Sequence, residues 1–165
     1  MSLRETLSNS PRIGIALGAA AILLAVIFLW PTLFAGAPHA SMPSRVYFSD
    51  DDGKTFFTDD SSNIPPFDHG GKQALQAAVF ECGGKQFVGY LIRFDNGAKA
   101  ALEAMPEEDR KGSNPKALLI RQTGEMVKKP GNSHWVALKG DEPAGQIVSP
   151  VCPDGSDETP KQVMP

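Results

Sequence analysis

Five aspartates fall within eleven residues, at Asp50, Asp51, Asp52, Asp59 and Asp60. Calcium takes its ligands from oxygen-rich loops of this kind, and Asp50, Asp52 and Asp59 are the carboxylates best spaced to supply them. Laid on an EF-hand loop, Asp50, Asp52, Gly53 and Asp59 fall at positions three, five, six and twelve. Position one is then Phe48, and the flanks read as strands rather than helices, which argues against that form. The competing reading is a solvated turn. Cys82 and Cys152 are the only cysteines. An even count in an exported chain reads first as one disulfide, with two free thiols as the alternative. There is no C-x-x-C, and His39, His69 and His134 are scattered, so zinc spacing is absent.

Hydrolysis would call for a nucleophile, a base and an orienting acid. Ser133 and His134 are sequence neighbours, which does not make a triad, and no G-x-S-x-G surrounds a serine. Glu81 and Asp68 are acids that nothing in the sequence pairs. Phosphate-loop, dinucleotide and haem-attachment motifs are missing. Catalysis has no positive support. The apolar run Ile64-Pro65-Pro66-Phe67 is a candidate contact for a partner protein, with packing over its own sheet as the alternative.

These groups are carried behind a segment of another character. Residues 13–30, IGIALGAAAILLAVIFLW, contain no charge, and ten of the eighteen are Leu, Ile, Val or Phe. A helix of that length spans about 27 Å, close to the ~30 Å hydrocarbon core of a bilayer. No polar face recurs at the 3.6-residue period that a soluble core helix would show. The expectation is a transmembrane helix over residues 13–34. Arg4 and Arg12 precede it, and the next basic residue is Arg45, so the positive-inside rule places the amino terminus in the cytoplasm and the rest outside. A cleaved secretory signal is the alternative, but the apolar run exceeds the usual signal core. Gly14 and Gly18 have the small-residue spacing of closely packed membrane helices.

The expected organisation is a cytoplasmic tail (1–12), the membrane helix (13–34), a linker (35–44), an extracytoplasmic domain (45–152) and a flexible tail (153–165). The chain has 16 Lys and Arg against 19 Asp and Glu; setting aside Arg4, Arg12 and Glu5 leaves 14 against 18, a net charge of −4. An acidic domain of this kind does not fit nucleic acid, which calls for basic patches.

Within the exported part the patterning predicts an α+β, β-rich fold: a small antiparallel sheet of hairpins with one short helix. Residues 45–49 and 55–58 flank an Asp-Gly turn at Asp52-Gly53. Residues 76–82 and 85–94 flank Gly83-Gly84, with Phe87, Gly89, Leu91 and Arg93 expected on one face and Val88, Tyr90, Ile92 and Phe94 on the other. Asp95 or Asn96 is expected to cap a helix over 98–105, stopped by Pro106. Residues 117–121 read as a strand, 125–129 and 134–138 as a third hairpin, and 146–152 as a last strand.

Ser49, Asp51, Gly53, Thr55 and Phe56 fit S-x-D-x-G-x-T-[FW], a pattern that resembles the Asp-box of sialidase-like propellers. The resemblance implies a hairpin fold-back stabilised by the Ser, Asp and aromatic side chains, away from any active site. It occurs once, and a propeller needs several blades of about forty residues, so it does not imply glycosidase activity. More broadly, the MSLRETL start, the DDGKTFF turn, the VFECGGKQFVGYLIRF hairpin and the VCPDG ending resemble bacterial single-pass membrane proteins with a small exported domain. That group carries no activity to transfer.

The reading is a membrane-anchored extracytoplasmic module, held by the bilayer through residues 13–34. It is periplasmic or on the outer surface, non-enzymatic, and meets a protein or other component of the envelope. A ligand- or calcium-binding sensor built on the Asp-rich turn, with calcium as its only candidate cofactor, is the first alternative. An accessory hydrolase is the second.

Overall fold

The computed structural model describes residues 43–111, 114–140 and 142–165. The expected tail, the membrane helix with Gly14 and Gly18, and the linker as far as residue 42 lie outside the described residues. Among the described residues no helix is long and apolar enough to cross a membrane.

The architecture is α+β and β-rich. Eight strands among the described residues form one antiparallel sheet: β1 (Arg45–Ser49), β2 (Phe57–Asp60), β3 (Phe67–His69), β4 (Lys72–Cys82), β5 (Lys85–Phe94), β6 (Glu125–Lys128), β7 (Val136–Ala137) and β8 (Lys161–Val163). The main path runs β2-β1-β4-β5-β6-β7, and β3 and β8 also pair β4. Among the described residues four short helices accompany it: α1 (Asn96–Glu103), α2 (Glu107–Lys111), α3 (Pro115–Gly124) and α4 (Glu142–Ile147).

The β4–β5 hairpin is the spine. Gly83 and Gly84 have φ of 55° and 76°, the left-handed pair that a two-residue turn requires to match the strand twist. From there the register runs Cys82↔Lys85 to Val79↔Val88, then shifts so that Ala78 faces Tyr90. Gly89 is left over as a bulge, and it reverses the facing of every residue before it. Val88 therefore joins Leu91, Val79 and Ala77 in one core cluster. Phe87 and Tyr90 both lie against Phe80, with ring centroids 6.2 and 6.0 Å away. The strict alternation expected along this strand fails at Gly89 for that reason.

The two faces are covered differently. On one, Phe94 packs with Ile64, Ala98 and Leu102 of α1 and Ala117 of α3, while Ile92, Val127 and Val136 take Ala144 of α4. On the other, Ala77, Val79, Val88 and Leu91 are covered by side chains rather than helices: Tyr47, Phe56, Leu75, Trp135 and Val163. Val79 and Leu91 are almost completely buried there, so strands and loops alone close this second core.

Several expectations are corrected. Residues 117–121 belong to helix α3 because Asn114 caps it, its side chain accepting from the Lys116 and Ala117 amides, and Pro115 opens the first turn. The short apolar run concealed a helix whose signal lay just before it. Residues 146–152 are not a strand: α4 ends at Ile147, and the chain continues as an irregular strap broken by Pro150 and Pro153, which have no amide to give a ladder. The tail is not loose throughout, since Lys161–Val163 pairs with Val79–Glu81 and sets Lys161 opposite Glu81. The cap, by contrast, is as expected, Asp95 accepting from the Ala98 amide at 2.8 Å, though the helix spans Asn96–Glu103 rather than 98–105.

Gly89 gives a direct test of the spine. A Cβ at this position would sit 2.7 Å from Phe80 and 2.9 Å from Pro150. Gly89→Ala is expected to destabilise the domain by about 1–3 kcal/mol, the usual cost of overpacking, read as a lowered urea midpoint. An unchanged midpoint would show that the strap does not press on the sheet as described.

Candidate functional site

The turn that carries the S-x-D-x-G-x-T-[FW] pattern is closed by its own side chains. Asp51 Oδ1 accepts from the Ser49 hydroxyl and the Thr55 amide, each at 2.9 Å, and Oδ2 accepts from the Thr55 hydroxyl at 2.6 Å. The Gly53 amide donates to Ser49 Oγ at 2.8 Å. Asp52 takes the positive φ of 63° that the fold-back needs, and Phe56 meets Tyr47 edge-on, ring centroids 5.1 Å apart. Because Thr55 and Phe56 serve this turn, β2 starts at Phe57, two residues after the expected position.

The neighbouring aspartates hold cations of the same chain. Asp52 binds the Lys128 ammonium, and its Oδ2 accepts from the Gly131 amide at 2.9 Å. Lys128 also donates to the Asn132 carbonyl at 2.8 Å. One carboxylate and one buried lysine thus clasp the β1–β2 turn to the β6–β7 turn. Asp50 lies 3.0 Å from His69 Nδ1 and 3.9 Å from Lys72 Nζ, with His69 stacked on Phe57 at 4.1 Å. Asp59, on β2, accepts from the Asp60 amide. Among the described residues no three His, Cys, Asp or Glu side chains are grouped to hold a metal ion, so Asp50, Asp52 and Asp59 are not brought together.

The clasp ends in an aromatic stack. Trp135 packs on the second core, with the Arg93 guanidinium 4.4 Å and the Lys128 ammonium 5.5 Å from its ring. Each cation is attracted by the negative face of the indole, and Asp52 meets the charge of Lys128. Lys128 carried no sequence signal beyond its place at a strand end, and neither did its pairing with Asp52, seventy-six residues away.

Other ionisable groups sit toward the helices. Burial pushes the Glu125 carboxyl up, against the pull of Arg121, and burial with the nearby Glu125 pushes Tyr90 up. Arg121 lies over the Phe94 ring at 5.4 Å and donates to the Arg110 carbonyl at 3.3 Å. This cluster is packed into the wall of the domain.

Cys82 and Cys152 are bonded, with Cα atoms 5.9 Å apart and both residues buried. The bond closes a loop of 70 residues, worth about 4 kcal/mol on the chain-entropy account. It fixes the strap Pro150–Pro153 across the end of the β4–β5 hairpin, so that Val151, 79% exposed, projects between two anchored neighbours. Two cavities flank the strap, each of about 260 Å³ and each touching Phe87.

The remaining sequence candidates fall elsewhere. Ile64 and Pro65 are buried, the Ile64 and Pro65 carbonyls accept from Lys99 and the Phe94 amide, and Phe67 meets Phe48 edge-on. This loop packs on its own sheet and presents neither Ile64 nor Pro65 outward. Ser133 and His134 are exposed turn residues, the His134 amide donating to Asn132. Glu81 faces Gln86 and Lys161 across the sheet, and Asp68 caps the β3–β4 turn at Gly71.

The turn is expected to respond to acid. The Thr55 hydroxyl and amide, with Ser49, hold Asp51 down to about 2 from an ordinary 3.8. A depressed carboxyl adds stability above its unfolded value and loses it as pH falls through its folded value. The urea midpoint should therefore drop between pH 3.8 and about 2, and Asp51→Asn should flatten that part of the profile. Identical profiles for the two proteins would mean that the turn does not depend on the charged Asp51.

Comparison of the chain with protein-family models, with curated proteins and with solved structures finds no match in any of the three.

Proposed function

We propose that this chain is a membrane-anchored module whose β-rich domain lies outside the cytoplasm and binds a protein or wall component of the cell envelope without transforming it. The observation that carries the reading is the buried Cys82–Cys152 disulfide, because such bonds persist in oxidising compartments and are rare in the cytosol. The apolar run of residues 13–30, preceded by Arg4 and Arg12 and followed by no Lys or Arg before Arg45, supports the same placement. In this reading residues 13–34 stay in the bilayer as a signal anchor, the domain faces the periplasm or the outer surface, and confinement near the membrane restricts what it can meet.

Binding rather than catalysis is supported by how the polar groups are used. Asp51 and Asp52 are engaged in turn and clasp bonds, and Asp50 lies beside His69 and Lys72. Among the described residues the exposed large apolar side chains are Leu118, Leu119, Val151 and Met164, of which Val151 adjoins the disulfide and lines one of the two cavities. An apolar side chain at the rim of a cavity is surface that a partner gains by burying.

Fusing alkaline phosphatase and, separately, green fluorescent protein after Pro165 tests the placement. Phosphatase activity in whole cells and no fluorescence are expected. Bright fluorescence with inactive phosphatase would put the domain in the cytoplasm and remove the reading.

A further inference from the structure

The sheet is open along one part of its spine. β6 pairs β5 only from Leu91 to Phe94, its register ending at Leu91↔Lys128. Beyond that point the ladder ends: Lys129 and Pro130 share a cavity lining with Phe87, Val88 and Gly89 without pairing to them, and the Gly131 amide goes to Asp52. Among the described residues no strand pairs β5 on that side between Lys85 and Tyr90. The hairpin geometry says which groups are left there. In a two-residue turn the flanking pair, Cys82↔Lys85, is hydrogen-bonded, and the pattern alternates along the ladder. Glu81↔Gln86 and Val79↔Val88 are then the non-bonded pairs, so the amides and carbonyls of Gln86 and Val88 point away from β4.

An unpaired edge is a template for a further strand, and here Gln86 is exposed while Val88, 7% exposed, lies at the base of a cavity. Here the edge opens into a slot. Lys129 and Pro130 form one wall, Pro150 and Val151 the other, and Phe87, Val88 and Gly89 the floor, enclosing about 260 Å³. A second cavity of the same size continues past Phe87 toward Lys85, Pro153 and Asp154. The disulfide fixes the Val151 wall, and the Asp52–Lys128 clasp fixes the turn that bears Pro130. A preorganised slot costs less to fill than one that must first be ordered.

The geometry points to strand addition: an extended segment of a partner protein, with an apolar residue flanked by Asp or Glu, pairs with β5 at Gln86 and Val88. Its backbone meets the open edge, and its apolar side chain fills the space between Phe87 and Val151. Acidic neighbours meet Lys85 and Lys129, the exposed cations in the lining of the two cavities; Asp154, on the far rim, is the one acid there. Main-chain bonds supply affinity in this mode, and side-chain pockets supply specificity. A second copy fits less well, because antiparallel pairing of two β5 edges brings the lysines of one copy toward those of the other.

This inference rests on the binding role proposed above, but its test is independent of where the domain lies. The full chain in lipid nanodiscs is panned against a displayed library of random ten-residue peptides, and binders are followed by amide hydrogen exchange. The expected binders carry a β-branched or aromatic residue between acidic ones and slow exchange at Gln86 and Val88 at least about tenfold, as new strand pairing does. The pair Lys85→Glu and Lys129→Glu should weaken binding about tenfold or more, and Val151→Asp likewise, with the urea midpoint unchanged in both variants. A library that yields no binder overturns the proposal. So do binders that leave Gln86 and Val88 unaffected, equal affinity for the charge-reversed variant, or self-association through this edge in place of peptide binding. A failed phosphatase fusion with a working slot would instead relocate the domain and keep the slot.

Discussion

The Cys82–Cys152 bond is the constraint on which the rest of this domain depends. It joins the turn end of the longest hairpin to a segment that has no regular structure of its own. Without it the strap from Pro150 to Pro153 has little to hold it, because prolines give no ladder bonds and Val151 is mostly exposed. With it, the strap presses on Gly89, where only a residue without a side chain fits, and delivers the tail to the free edge of β4. A loop of 70 residues is closed in one step, a gain of several kcal/mol for a small domain whose net stability is of the order of 5–15 kcal/mol.

Electrostatic pairing does the corresponding work on the opposite side of the open edge. The Asp-box turn is closed by Asp51 within itself, which frees Asp52 to reach across to Lys128 and Gly131. Lys128 is buried and would be costly without its carboxylate and carbonyl partners. The turn therefore fixes the position of the β6–β7 loop, and Trp135 is held beneath Arg93 and Lys128 as a consequence. The fold-back closed by Asp51 thus carries an added long-range tie through Asp52.

Legibility in the sequence tracks the range of the interactions. Local chemistry is legible: the Asp-Gly and Gly-Gly turns, the Asp95 cap, the Asp-box pattern and the even cysteine count all correspond to features found. Signals that depend on partners distant in sequence are not. The bulge at Gly89 reverses the facing of Phe87 and Val88 because the shift lies in the pairing with Ala78 and Val79, which periodicity on one strand cannot show. Residues 117–121 look like a strand by length alone, which hides the Asn114-Pro115 helix start just before them. The Asp52–Lys128 clasp joins residues seventy-six apart and leaves no trace in spacing. The slot along β5 is hidden for the same reason, since it exists only where β6 stops and the strap is pinned.

The proposed location and the proposed binding slot both rest on the covalent bond that also stabilises the domain. The direct measurement is the state of the two cysteines in the full chain taken from its own cells without reductant. After denaturation in an alkylating agent and digestion, a single linked peptide pair containing Cys82 and Cys152 is predicted, with neither residue alkylated. Alkylation of both cysteines before any reductant is added would contradict it, removing at once the oxidising setting, the pinned strap and the wall of the slot.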